Sequence, residues 1–167
     1  MRSKLARWLR EGIVWLLIAA AAVVIVDQFR RPELPATFIS TPLQTLDGES
    51  VDLAKLSQDR PLLVYVWATW CGVCRYTTPS VANMAEEGGN VLTVALRSGE
   101  DATLSQWLAK KRYAMPTVND PKGELAKSWQ VQVTPTVLII SHGEVKSVTT
   151  GYTSGWGMKL RLWWAGL

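Results

Sequence analysis

Apolar residues fall into short blocks separated by polar turns. Leu62–Ala68 (LLVYVWA) and Val91–Leu96 are nearly unbroken apolar runs of strand length, the mark of strands covered on both faces. Thr136–Ile140 and Val145–Thr150 read as two further strands, joined through Ser141-His142-Gly143-Glu144 as a hairpin, in which His142 is a turn residue. Leu43–Leu46 predicts a short strand, Asp47-Gly48 a tight turn and Leu53–Ser57 a helical turn. A helix is expected from Cys71 to about Glu87, interrupted at Pro79 and ended by Gly88-Gly89. Asp101 is placed to cap a second helix running to Arg112, where Lys110, Lys111 and Arg112 suit a C-terminus. Thr117–Asn119 predicts a short strand, Glu124–Trp129 a short helix and Gly157–Ala165 a closing helix. On that last helix Trp156, Leu160 and Trp163 recur at helical spacing and are expected to pack on the sheet. The order after the opening hairpin is β-α-β-α-β-α-β-β-α. It specifies an α/β fold with crossover helices and an antiparallel edge.

Ahead of this pattern lies a different one. Gly12–Val26 holds no charge and would span about 22 Å as a helix, extended by Trp8, Leu9 and Phe29 toward the roughly 30 Å of a bilayer core. A cleaved signal peptide needs small residues just after the apolar run, whereas Ala19–Ala22 lie inside it. The expectation is one uncleaved transmembrane anchor over 12–29, preceded by a basic cytoplasmic segment, 1–11. Arg2, Lys4, Arg7 and Arg10 outnumber Arg30 and Arg31, so the domain should lie outside a membrane, for which the bacterial inner membrane facing the periplasm is the natural choice. The proline-bearing stretch 30–42 reads as a tether, and residues 43–167 as the domain.

Charge sharpens this division. The 167-residue chain carries a formal +4. Residues 1–31 hold all of that excess, and the rest is balanced. The domain therefore has no electrostatic surplus to offer nucleic acid.

Cys71 and Cys74 are the only cysteines, and they form one C-x-x-C. Structural zinc needs more ligands than this pair and His142 supply, and haem attachment needs a histidine where Arg75 stands. A copper(I) chaperone using the two thiolates is chemically possible. A redox dithiol fits the position better. The motif follows a buried strand and opens a helix, where unpaired N–H groups and the dipole stabilise a thiolate at Cys71. Cys74, one turn further in, can then resolve a mixed disulfide. A purely structural bridge across so short a loop would constrain little of the unfolded chain.

Trp67-Ala68-Thr69-Trp70-Cys71-Gly72-Val73-Cys74, with Pro79 beyond it, resembles the active-site region of thioredoxins. Val133-Thr134-Pro135-Thr136 looks like that family's cis-proline loop, and Gly151 fits its place after the last strand. With the material between Leu96 and Trp129 and the N-terminal apolar run, the chain resembles the membrane-anchored TlpA/ResA-like members, and among them the suppressor-for-copper-sensitivity D type. The resemblance implies a thioredoxin fold and a thiol-disulfide oxidoreductase, expected to reduce protein disulfides. Cys71 would attack, Cys74 would resolve, and Trp70, Thr134 and Pro135, with a cis bond, would shape the substrate groove. No cofactor beyond the dithiol is implied. Its partners would be protein thiols and disulfides, with a transmembrane reductant carrier to recharge a chain acting as a monomer.

Two positions depart from the family's pattern. Tyr65 stands where thioredoxins often carry a buried Asp, and Thr77 where many TlpA/ResA-like proteins carry a Glu. The usual proton acceptor for Cys74 is missing. Resolution is therefore expected to be slow near neutral pH.

Overall fold

The computed structural model describes residues 8, 10–18, 21–22, 34–35 and 37–167. The chain divides after Arg31 into two compact units. In the first, residues 10–18 and 21–22 are helical. The anchor expected over 12–29 extends outside the described residues. Among those described, no helix is long and apolar enough to cross a membrane.

The second unit is built on two sheets. A short hairpin pairs β1 (Leu43–Gln44) with β2 (Ser50–Val51), and α1 (Leu53–Leu56) follows, capped by the Asp52 carboxylate. The main sheet contains β3 (Leu62–Trp67), β4 (Val91–Leu96), β5 (Thr117–Asp120), β6 (Thr136–Ser141) and β7 (Glu144–Thr150), in the order β5-β4-β3-β6-β7. Strands β3, β4 and β5 are parallel, while β6 and β7 run antiparallel to their neighbours. The connecting helices are α2 (Cys74–Glu86), α3 (Asp101–Lys111) and α4 (Glu124–Ser128), and α5 (Gly155–Ala165) closes the chain.

Period-two alternation on the central strand divides the core into two layers. Leu62, Val64 and Val66 join Leu53, Trp129 and Leu138 on one face. Leu63, Tyr65 and Trp67 join Cys74, Val81 and Met158 on the other. All six β3 side chains are buried, which is why that run reads as unbroken apolar sequence. The β6–β7 turn places His142 and Gly143 at φ 53° and 73°, as a two-residue hairpin requires.

Five expectations need correction. Helix α2 runs unbroken through Pro79, where the sequence predicts an interruption: the proline sits in the second turn and removes one N–H donor without ending the helix. Helix α2 begins at Cys74, not Cys71, because Ala68–Val73 forms turns that carry Cys71 ahead of the first helical residue. Glu100, not Asp101, occupies the cap of α3, and the Asp101 carboxylate instead accepts from Asn119 Nδ2 at 2.8 Å. Phe38 lies inside the stretch read as a tether, yet it is buried edge-on against Trp129, since an aromatic ring gains more from the core than from water. On α5, Trp156, Leu160 and Trp163 are exposed, and Met158, Leu162 and Ala165 pack inward instead. The three-to-four spacing was right and the face was wrong: Met158 fills the gap beneath the helix, and the bulky indoles stay outside.

Candidate active site

The site forms where the central strand ends. After Trp67 the chain leaves the sheet, turns through Thr69 and Trp70, and enters α2 at Cys74. Two hydrogen bonds hold that turn against the loop after β4. The Thr69 N–H donates to Ser98 Oγ at 3.0 Å, and the Trp70 indole Nε1 donates to the Arg97 carbonyl at 3.0 Å. Trp70 is thereby fixed at one edge while 62% of it remains exposed.

Cys71 and Cys74 are joined as a disulfide, with their Cα atoms 5.3 Å apart. The two sulfurs are not equivalent. Cys71 is half-buried and Cys74 is buried. The Cys74 backbone N–H donates to Cys71 Sγ at 3.2 Å. From another part of the chain, the Thr134 carbonyl oxygen lies 3.6 Å from the same sulfur. The Thr134–Pro135 bond is cis, as the sequence resemblance implies. The loop is tied down from behind by Gly151, whose N–H donates to the Pro135 carbonyl at 2.8 Å from a backbone at φ 82°, which glycine adopts without strain. The structure thus brings together all five residues singled out in the sequence: Trp70, Cys71, Cys74, Thr134 and Pro135.

Beneath the sulfurs the buried side chains are uncharged, hydroxyls among apolar groups. Tyr65 is fully buried, and its hydroxyl shares a hydrogen bond with Thr78 Oγ1 at 2.9 Å. Burial holds the phenol well above its ordinary pKa, so it stays protonated and cannot act as a base. Thr77 is also fully buried, and among the described residues its hydroxyl has no hydrogen-bond partner. Among the described residues no group of three or more His, Cys, Asp or Glu side chains is arranged to hold a metal ion.

Sequence reasoning missed the wall contributed by α3. Trp107 stacks at a tilt on Trp67 with ring centroids 5.2 Å apart, and Tyr113 packs on Trp107 at 6.0 Å. Trp107 and Lys111 are four residues apart on a helix, a spacing that places them on one face. That was the available signal.

The family model for Redoxin matches residues 29–157. The chain belongs to the redoxin family. This redoxin is 45% identical over 162 residues to a thioredoxin-like protein of Haemophilus influenzae, covering 97% of each chain. It is 24% identical over 158 residues to the thiol-disulfide oxidoreductase ResA of Oceanobacillus iheyensis, covering 85% of this chain and 80% of that one. In fold it resembles the crystal structure of StoA from Bacillus subtilis, with a TM-score of 0.63 at 20% identity over 72% of this chain and 94% of that one. The redoxin is a thiol-disulfide oxidoreductase of the thioredoxin superfamily, with Cys71 and Cys74 as its C-x-x-C pair.

Proposed function

We propose that this redoxin reduces protein disulfides on the outer side of a bacterial inner membrane, with Cys71 as the attacking thiol and Cys74 as the resolving one. The observation that carries the assignment is the inequality of the two sulfurs: one reachable beside the Thr134 carbonyl, the other buried behind it. The Cys71 thiolate attacks one sulfur of the client disulfide, and the other sulfur leaves as a thiolate that takes up a proton. Cys74 then attacks Cys71 Sγ, the client's second sulfur departs and is protonated, and the enzyme is left as the Cys71–Cys74 disulfide. The client gains two electrons and two protons. Trp70 and the Thr134 backbone flank the point of attack and form the groove for the client strand.

The electrons must be replaced, and a transmembrane dithiol carrier is the partner suited to a membrane-tethered domain. In this reading Gly12–Val26 is the core of the membrane anchor, with its basic N-terminal flank on the cytoplasmic side. The likeness to TlpA/ResA-like proteins favours reduction over oxidation. The test is the reduction potential of the pair. A value near the roughly −270 mV of thioredoxin is expected, and one above roughly −180 mV would overturn the reductive direction. A reporter active only outside the cytoplasm, fused after Leu167, should be active in the membrane fraction. Recovery as a shorter soluble species would overturn the anchor.

A further inference from the structure

Disulfide exchange requires two sulfurs and a place for a client strand, yet the space beside these sulfurs carries more chemistry than that. A cavity of about 330 Å³ opens onto Cys71 and Cys74, walled by Trp70, Arg75, Trp107, Lys111 and Tyr113. Arg75 and Lys111 are its charged lining residues, and no acidic residue lines it. Among the described residues the ion pairs are Lys146–Glu144 and Lys159–Glu87, so neither cavity cation is neutralised by a carboxylate. Lys111 Nζ stands 5.8 Å over the Trp107 ring, which itself is braced by Trp67 and Tyr113. Lys111 is solvent-exposed, and its ammonium lies over the face of a packed aromatic wall at the cavity's rim, open to an incoming anion. None of residues 133–136 lines the cavity, so a strand lying along the Thr134 backbone would leave it open for a neighbouring side chain.

We infer that this cavity selects disulfides flanked by carboxylates, in the first place an acidic segment of a protein client. The inference rests on the disulfide-exchange reading and adds a substrate class to it. Two unpaired cations beside the attacked bond attract an anionic group and raise its local concentration, while the indole faces take up the methylenes that carry it. The redox step is unchanged. Cys71 and Cys74 give up two electrons and become a disulfide, and the substrate's sulfurs leave as two thiols.

The reduced full-length chain can be mixed with three small disulfides of similar size: dithiodipropionate, bis(2-hydroxyethyl) disulfide and cystamine. Their intrinsic reactivities cancel when each rate ratio is compared between the wild type and an Arg75→Gln/Lys111→Gln double variant. The dicarboxylate-to-diamine ratio should fall about tenfold in the double variant at low salt, and the gap should close near about 1 M salt. Lys110→Gln, which changes a neighbouring cation outside the cavity, should keep the wild-type ratio. Peptide disulfides with Glu or Lys beside the cysteine separate the sources. A larger effect on peptides than on the small pair assigns the carboxylate to a protein client, whereas a larger effect on the small pair overturns that choice of source. An equal ratio in wild type and double variant overturns the inference while the exchange chemistry stands. Failure to react with the neutral disulfide, by a chain with two titratable thiols, overturns the exchange reading itself.

Discussion

Cys74 donates its backbone N–H to the sulfur of Cys71 across 3.2 Å, so the buried member of the pair helps hold the accessible one at the mouth of its own helix. A sulfur that accepts the N–H of the first helical residue lies at the positive end of the helix dipole, and such a place favours the thiolate. The same backbone that hides Cys74 thus activates Cys71.

The division of labour can be read directly in cells. Cys74→Ser leaves Cys71 able to attack but unable to release, so mixed disulfides with clients should accumulate on non-reducing gels. Cys71→Ser should trap nothing. Equal trapping by both variants would reverse the assignment.

Trp70 is bonded to the Arg97 carbonyl at one end and 62% exposed, beside the sulfurs where we propose the client strand lies. Trp70→Ala should slow turnover of a protein disulfide by about 5-fold or more, the scale of an aromatic contact residue. Stability in a denaturant titration should change by no more than about 1 kcal/mol, because little of the ring is in the core. A large loss of stability with unchanged turnover would make Trp70 a structural residue.

Thr77 is enclosed with an unpartnered hydroxyl. Thr77→Val should therefore be neutral or stabilising by up to about 1 kcal/mol, since it removes a buried polar group that bonds to nothing. It should leave resolution of the mixed disulfide unchanged, because an unbonded hydroxyl relays no proton. Thr77→Glu should destabilise the fold but quicken resolution near pH 7, by placing a carboxylate one turn from Cys74 where burial raises its pKa toward neutrality. Stopped-flow release of a trapped client measures both. No acceleration by the glutamate variant would mean that proton loss from Cys74 does not limit the step.

Tyr65 supplies a prediction at alkaline pH. Its folded-state pKa lies above the unfolded value of about 10, so its stabilising effect is complete below that value and fades as pH rises further. Denaturant titrations of the wild type should show stability declining above about pH 10, and Tyr65→Phe should flatten that part of the decline. At neutral pH the same variant should cost roughly 1–2 kcal/mol, because Thr78 Oγ1 loses its partner.

Much of the fold was legible because each central strand is apolar on both faces and each turn carries its own chemistry. The His142-Gly143 hairpin and the β3 run announce themselves locally. The site was legible for a related reason: C-x-x-C and the Thr134-Pro135 pair are contiguous in sequence, and only their meeting across the sheet had to be inferred. Phe38 and the inward face of α5 were not legible. Both depend on which cavity in the tertiary structure a side chain can fill, as Met158 does under α5 while Trp156 and Trp163 remain outside. The Arg75–Lys111 cavity was hidden in the same way, because its walls come from separate helices.

The sheet also acts as a partition. The disulfide, Tyr65, Trp107 and the cavity belong to the layer on one side, whereas Phe38, Leu53 and Trp129 belong to the layer on the other. A volume change behind the partition meets the sulfurs only through the strands, because the two layers of side chains are separate clusters.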